Sequence, residues 1–212
     1  MPVRSVAFPS HDGVRLEGRL HLPQTAPRGV AVLCHPPTPA DGLMPNVLMP
    51  SLTRALDTAG WASLRFNYRG IGRSQGAPAS ARSELDDVRG AIAWAEDAVA
   101  TDVTAVVGWS SGATIALWAC TGSLSVDVFV GLSPPVSVSG PGIPSLPEPQ
   151  RLADWTTRTL LVCGSADPAC DERDAAELAK MLGGEMELVP GADHAFNGRL
   201  AEMSALVTWF LR

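Results

Sequence analysis

The stretch AVVGWSSGATIAL, residues 105–117, sets a short polar turn between two apolar runs. Gly108, Ser110 and Gly112 alternate through that turn, so residues 108–112 match the pattern G-x-S-x-G. Glycines two positions before and after a serine leave room for a sharp turn from a strand into a helix. The stretch therefore predicts a strand, a strained turn and a helix. The turn either presents a reactive hydroxyl or is only a flexible, glycine-rich junction between a strand and a helix. A pattern of five residues also arises by chance, so the pattern alone does not decide between these two interpretations.

Short apolar runs alternate with longer amphipathic runs along the rest of the chain. The apolar runs are rich in Val and Leu, as expected for strands that are buried on both faces of a parallel sheet. They cover residues 30–35, 61–67, 103–109, 126–132, 159–164 and 186–190. Helical spacing occurs at residues 46–60, 83–99, 111–122, 172–182 and 199–211. This alternation predicts a doubly wound, mostly parallel α/β sheet within one domain, residues 1–212.

Two segments stand outside this alternation. Residues 3–10 and 15–23 flank the turn signal at 11–13, which predicts an antiparallel N-terminal hairpin at one edge of the sheet. Residues 133–149 are rich in proline, which fits neither a helix nor a central strand, so we expect a long surface loop or a small lid. Because ligands of open α/β sheets bind beyond the carboxyl ends of the strands, the loops that follow strands are where functional residues are expected.

Composition narrows the classes of partner. The 212 residues are 46% apolar and 18% charged, with a formal net charge of −6, which is ordinary for a globular enzyme. Arg65, Arg69 and Arg73 are the densest cations and lack flanking lysines, so no nucleic-acid partner is expected. No apolar run is long enough for a membrane span, and the first residues lack the apolar core of a signal peptide, so we expect a cytoplasmic protein. The sequence leaves open whether the chain forms a homodimer.

The four cysteines fit the same compartment. Cys34, Cys120 and Cys163 lie in apolar runs and Cys170 lies in a polar loop. Buried thiols behave as small hydrophobes and cytosolic disulfides are uncommon, so free thiols are expected. Cys34-His35 is the only adjacent pair of soft metal ligands. Because a zinc site would need two more ligands from distant parts of the chain, no zinc site is expected.

Gly70-Ile71-Gly72 follows an apolar run and resembles the start of a dinucleotide-binding loop. The third glycine of that fingerprint is missing, since Gln75 occupies its position. The residues that follow do not open a helix directly, so no nucleotide cofactor is expected.

A serine hydroxyl needs a base to act as a nucleophile, and the chain offers four histidines. His194 follows the last predicted strand and precedes the last helix, which makes it the candidate base. His11 and His21 belong to the hairpin and are expected at the surface, whereas His35 follows the first core strand and is expected to shape a pocket. Ser111 is the rival hydroxyl, but its expected contribution is its backbone N–H, aimed at a developing oxyanion.

The acid that orients the histidine is expected after the predicted strand 159–164. Asp167 comes three residues after that strand, and Pro168 stiffens the turn behind it. Asp171 and Asp174 are typical first-turn acids of a helix. Asp193 is adjacent to His194, and neighbouring side chains rarely point at each other. Asp167 is therefore the candidate that would hold the imidazole and stabilise its charged form.

The chain resembles a known family. Five segments carry the resemblance, and they cover nearly the whole chain in the order in which the family has them. They are LCHPPTPADG (33–42), LRFNYRGIGRSQG (64–76), GWSSGA (108–113), CGSADPACD (163–171) and PGADHAFNGRL (190–200). The family is that of small, cap-less α/β-hydrolases of the dienelactone-hydrolase-like type found in bacteria. The resemblance implies an α/β-hydrolase fold without a cap domain. It also implies Ser110 as nucleophile, Asp167 as acid and His194 as base.

One departure from the family concerns the oxyanion hole. The resemblance places its second N–H in the loop after the strand that ends at His35, yet Pro36 and Pro37 have no N–H. Thr38 is the nearest residue with an N–H, and its hydroxyl or Tyr68 is the substitute. Losing one oxyanion donor costs roughly two to four kcal/mol of transition-state stabilisation.

These observations predict a serine hydrolase that cleaves a small carboxylic ester, thioester or lactone through an acyl-enzyme on Ser110. No metal or organic cofactor is required, and the expected partner is a small acyl substrate. The walls of its pocket are expected to include His35, Met44, Tyr68 and Trp109. Two alternatives stay open: a non-hydrolytic member that binds or serves as a scaffold, and an acyl-transferring or cyclising enzyme of a biosynthetic pathway.

Overall fold

Eight strands form one sheet in the part of the chain that the computed structural model describes. That part comprises residues 3–37, 44, 47–78, 81–122, 124, 126–138 and 143–212, without the side chains of residues 81 and 82. The strands are β1 (Val3–Pro9), β2 (Arg15–His21), β3 (Val30–Cys34), β4 (Ala62–Phe66), β5 (Thr104–Trp109), β6 (Val128–Leu132), β7 (Arg158–Gly164) and β8 (Glu185–Val189). The helices are α1 (Leu48–Thr58), α2 (Ala81–Ala98), α3 (Ser111–Ala119), α4 (Glu172–Met181) and α5 (Leu200–Phe210).

The strand order across the sheet is β1-β2-β4-β3-β5-β6-β7-β8. The strands from β4 to β8 pair in parallel, while β1 and β2 form a hairpin that adds to β4 in antiparallel orientation. Strand β4 is added on one side of β3 and the next strand, β5, on the other side. The direction in which successive strands are added to the sheet therefore reverses at β3. This reversal is the place where an α/β sheet opens a crevice at the carboxyl ends of its strands. The predicted doubly wound, mostly parallel sheet with an N-terminal hairpin is confirmed.

Helices cover both faces of the sheet, because its central strands are apolar on both sides. The strands β3, β4, β5 and β6 are buried at every residue. Helices α1 and α5 pack on one face, with Leu52, Leu56 and Val207 in that half of the core. Helices α2, α3 and α4 pack on the other face, with Ile92 and Ile115 in the second half. No helix in the described ranges is long and apolar enough to cross a membrane.

The connection from β6 to β7 is where the proline-rich segment lies. Its described residues, 133–138 and 143–157, contain one short 3₁₀ helix, Pro149–Arg151, and no further helix. This connection therefore leaves no room for a cap domain, as expected.

The hairpin corrects one expectation, since His21 is buried rather than at the surface. The prediction treated both hairpin strands as an edge, but β2 lies between β1 and β4 and only β1 is at the rim. The His21 ring lies 3.0 Å from the Arg65 guanidinium, measured between Nε2 and Nη2. Burial and the charge of Arg65 lower the pKa of His21 to about 4.

A cluster of charged side chains joins the turn of the hairpin to helix α2. Arg69 donates from Nη1 and Nη2 to the two carboxylate oxygens of Asp12, at 2.9 and 2.7 Å. Its Nε donates to Asp87 of α2 at 2.9 Å. Two of the three arginines noted in the sequence, Arg65 and Arg69, are thus buried and engaged inside the fold.

The cysteines correct a second expectation. Cys163, the penultimate residue of β7, forms a disulfide with Cys170, and their Cα atoms are 6.2 Å apart. The sequence placed Cys170 in a polar loop, but that loop folds back over the end of β7 and buries the side chain. Cys34 and Cys120 are free and buried, as expected.

Candidate active site

The turn at Ser110 has the strained backbone that the sequence predicted. Strand β5 ends at Trp109 and α3 begins at Ser111, so one residue connects them. Ser110 adopts φ 53° and ψ −133°, a left-handed conformation that costs a side-chain-bearing residue about 1–3 kcal/mol. Its N–H donates to the carbonyl of Leu132 in β6 at 2.9 Å. This backbone conformation turns the Ser110 side chain away from the direction of the strand, at the carboxyl edge of the sheet.

The two flanking glycines have a steric cause that the structure confirms. A Cβ on Gly112 would overlap the backbone carbonyls of Cys34 and His35, at the end of β3. A Cβ on Gly108 would overlap the backbone of Ala113, in the first turn of α3. Backbone cannot move aside as a flexible side chain can, so only glycine allows the helix to start this close to two strands.

Three side chains that are far apart in the sequence meet at this turn. The Ser110 Oγ lies 2.8 Å from the His194 Nε2, and the His194 Nδ1 lies 2.9 Å from the Asp167 Oδ2. Because a carboxylate only accepts, Nδ1 carries the proton and Nε2 is left to accept from the serine hydroxyl. The Asp167 carboxyl is buried, while 34% of the His194 side chain is exposed. This arrangement can withdraw a proton from Ser110 and hold the resulting imidazolium against a fixed negative charge.

The loop after β7 holds Asp167 from several sides. The Asp167 N–H donates to the Gly164 carbonyl at 3.0 Å, and the Ala169 N–H donates to Asp167 Oδ1 at 2.9 Å. Burial alone would raise the pKa of Asp167. Hydrogen bonds from His194 and the Ala169 N–H, the nearby Ser133 hydroxyl and the charge of His194 outweigh it, so the pKa lies below its ordinary value. Asp167 is therefore an ionised partner for His194.

The three other candidate acids are occupied elsewhere or lie apart. Asp171 is the N-cap of α4, where its carboxylate accepts from the Arg173 N–H at 2.9 Å. Asp174 lies in the first turn of that helix. Asp193 accepts from the N–H groups of Ala195 and Asn197 and so shapes the turn that carries His194.

Ser133 is a residue of the site that the sequence analysis missed. It directly follows β6, is fully buried, and adopts a left-handed φ of 43°. Its hydroxyl has no hydrogen-bond partner of ordinary geometry within the described residues, yet it lies close enough to Asp167 to lower the pKa of that carboxyl. The one signal in the sequence was its place after a buried strand, directly before Pro134 and Pro135.

One of the two candidate oxyanion donors, the Ser111 N–H, lies directly beside Ser110. Ser111 is the first residue of α3, so its N–H has no acceptor within the helix and is available next to Ser110. Pro36 and Pro37 follow β3 and supply no N–H, as the sequence requires. Thr38, the predicted second donor, lies outside the described residues.

The four residues predicted to line the pocket are all largely buried. His35 donates from Nδ1 to the Pro36 carbonyl at 2.7 Å, and burial lowers its pKa to about 4, so the ring is neutral. Tyr68 is 1% exposed, with its ring 5.2 Å from that of His35. The Met44 N–H donates to the Asn67 side chain at 2.9 Å. Trp109 is 7% exposed and lies beside His194.

The sequence model of one family, described as the alpha/beta hydrolase fold, matches residues 30–136, about half of the chain. The chain belongs to the α/β-hydrolase fold family. It shares with that family the position of the candidate nucleophile, at the turn between a central parallel strand and the following helix.

Solved structures of other proteins resemble this α/β-hydrolase over nearly its whole length. An α/β serine hydrolase homologue from Coxiella burnetii is 26% identical, with 99% of this chain and 97% of that chain covered and a TM-score of 0.83. A protein of unknown function from Agrobacterium tumefaciens is 28% identical, with coverages of 98% and 94% and a TM-score of 0.82. An α/β serine hydrolase without a lid from Xanthomonas campestris, 23% identical, shares the fold with coverages of 100% and 95% and a TM-score of 0.81. The resemblance to cap-less α/β-hydrolases is confirmed.

Proposed function

We propose that this α/β-hydrolase is a serine hydrolase that cleaves a small carboxylic ester, thioester or lactone through an acyl-enzyme on Ser110. One observation carries the proposal: the unbroken line of hydrogen bonds from the Ser110 Oγ through His194 to the Asp167 carboxylate. The strained φ of Ser110 adds support, because strain in a side-chain-bearing residue persists where surrounding structure enforces it, commonly at functional sites.

The mechanism follows from the role of each atom. The Ser110 Oγ attacks the carbonyl carbon as its proton moves to the His194 Nε2, and Asp167 stabilises the imidazolium that forms. The Ser111 N–H receives the negative oxygen of the tetrahedral intermediate. His194 then gives its proton to the leaving alcohol, thiol or internal hydroxyl, which leaves an ester on Ser110. A water molecule, deprotonated by His194, attacks that ester. His194 then returns the proton to the departing Ser110 Oγ, and the acid is released.

A second candidate function is favoured by Pro36 and Pro37. Because neither supplies an N–H, the stabilisation of the oxyanion from this loop is about 2–4 kcal/mol weaker unless another residue replaces the donor. A weak oxyanion hole favours a chain that binds its ligand without hydrolysing it. Acyl transfer to an acceptor other than water is a further alternative, which the two prolines do not favour because it needs the same oxyanion stabilisation. The same experiment separates these candidates from the main proposal.

A fluorophosphonate probe tests the nucleophile, because it phosphonylates only an activated serine and releases fluoride. We expect labelling of the wild type and of Ser111→Ala, which keeps its backbone N–H, and none of Ser110→Ala. Hydrolysis of short p-nitrophenyl esters is expected to follow the same pattern. A wild type that is neither labelled nor active contradicts the hydrolase proposal and supports the binding function. Labelling without hydrolysis supports acyl transfer.

A further inference from the structure

The residue before the candidate nucleophile makes a contact that the mechanism above does not use. Trp109 ends β5 and points to the face covered by α1 and α5, in the same half of the core as Ala105 and Val107. Its indole Nε1–H donates to the backbone carbonyl of His194 at 2.9 Å. The indole and imidazole ring centres are 5.9 Å apart. The strand that carries the serine is thus bonded directly to the backbone that carries the histidine.

The other hydrogen bonds made by the backbone of the histidine loop, among the described residues, do not reach the nucleophile strand. The Ala192 carbonyl accepts from the Ala166 N–H of the Asp167 loop at 2.9 Å. Asp193 binds N–H groups within its own turn, including that of Asn197 at 2.9 Å. These contacts fix the histidine loop to the acid and to itself. The Trp109 bond is the one that runs from this loop directly to the last residue of β5.

The bond between Ser110 and His194 cannot hold that distance throughout a reaction cycle. Once Ser110 is acylated its hydroxyl no longer exists, so the hydrogen bond to the His194 Nε2 is lost. The Trp109 bond involves neither reacting atom and persists in the acyl-enzyme. We infer that Trp109 is a positioning residue, whose indole N–H holds the His194 backbone at working distance from the acylated serine while His194 activates water.

This inference rests on the proposed function and competes with a simpler role for the same side chain. The sequence predicted Trp109 as a wall of the substrate pocket. A wall residue changes KM, most for bulky acyl groups, and leaves the activation of the serine alone. A positioning residue that acts in the acyl-enzyme lowers kcat without raising KM, and only 7% of the Trp109 surface is exposed for contact with a ligand.

Trp109→Phe keeps an aromatic ring in the core and removes the N–H. Trp118→Phe is the matched control, because the Trp118 indole in α3 also donates to a backbone carbonyl, that of Ser145 at 2.7 Å, away from the candidate site. We measure kcat and KM on p-nitrophenyl esters of increasing acyl length, the rate constant of fluorophosphonate labelling, and the thermal midpoint of each variant. For Trp109→Phe we expect kcat lower by roughly ten-fold, the labelling rate constant lowered less than kcat, and no rise in KM. For Trp118→Phe we expect neither rate constant to change.

Three results would overturn the inference: a KM that rises with acyl length at constant kcat, equal losses in both variants, or no loss in Trp109→Phe. If Trp109→Phe does not fold, Trp109→Met, whose flexible side chain fills irregular gaps, is measured in the same way. Failure of the proposed function is distinguishable, because it appears as a wild type that is not labelled. Failure of this inference leaves the wild type labelled and active.

Discussion

Replacing Asp167 with asparagine tests the geometry of the site most directly, because the structure dictates how the amide would sit. Asp167 Oδ1 accepts from the Ala169 N–H, whereas Oδ2 accepts from the His194 Nδ1–H. An asparagine must keep its oxygen on the Ala169 N–H, which can only donate. Its NH₂ group then faces the His194 Nδ1, and two donors cannot share one contact. The imidazole responds by moving its proton to Nε2, where it faces Ser110.

That change of tautomer disables the base. A protonated Nε2 cannot take the Ser110 proton, so attack on the carbonyl proceeds only through the minor tautomer. A wrong-tautomer substitution of this kind reduces kcat by about 10⁴ in a serine protease, which corresponds to about 5.5 kcal/mol in the activation free energy. We expect a loss of 10³-fold or more for Asp167→Asn, again on the order of that example. KM is expected to change little, because Asp167 is buried behind the imidazole.

Asp171→Asn is the matched control, since Asp171 lies four residues further along the same loop and caps α4. Asparagine caps helices as well as aspartate does, so stability and activity are expected to stay near those of the wild type. Both variants are compared by kcat on p-nitrophenyl butyrate and by thermal unfolding. A loss of less than about ten-fold in a folded Asp167→Asn would refute the assignment of Asp167 as the acid.

Three further predictions come from the surroundings of the site. Ser133→Ala and Ser133→Gly both remove the hydroxyl near Asp167, so kcat should fall by roughly three- to ten-fold in each, and equal activity to the wild type would contradict that role. Burial raises the pKa of Glu84 to about 7, so the folded chain keeps a proton there that the unfolded chain loses above 4.5, and stability falls as pH rises through this window. Glu84→Gln should therefore raise the unfolding midpoint above about pH 7 and hardly at about pH 4, and a midpoint that does not change at the higher pH would contradict this. Gly112→Ala should lower the unfolding midpoint severely or prevent folding, because its Cβ meets backbone at the end of β3, and a folded variant of wild-type midpoint would contradict the steric argument.

The sequence supports predictions of the fold and of the three central residues because both depend on local patterns. A run such as Val30–Cys34 carries its own evidence of burial on two faces. The turn at Ser110 carries its glycines, and the candidate acid and base each follow a strand. Once the strands are ordered in a parallel sheet, their carboxyl ends meet at one edge. Residues that follow different strands are then brought together without any local signal of contact.

Non-local geometry explains what could not be predicted. The burial of His21 depends on β2 pairing with β4, a strand some forty residues further along the chain. The Cys163–Cys170 bond depends on a loop that folds back over the end of its own strand. Ser133 lies near Asp167 because β6 and β7 are neighbours and the Ser133 N–H donates to Val162 of β7 at 2.8 Å. None of these pairings leaves a periodic trace in the sequence.

The two positions that the pattern G-x-S-x-G leaves free show how such a motif hides function. At position 111 the backbone N–H points to the candidate oxyanion site, so the side chain is irrelevant and Ser111→Ala keeps the donor. At position 109 the indole N–H donates to the His194 carbonyl. The identity of that side chain therefore decides a contact between β5 and the loop that carries His194. A pattern records only the positions where one residue type is required, for steric reasons at the two glycines and for its hydroxyl at the serine. The contribution of Trp109 depends on a partner 85 residues away, which is why the same five letters predict the nucleophile and leave out the residue that holds its base.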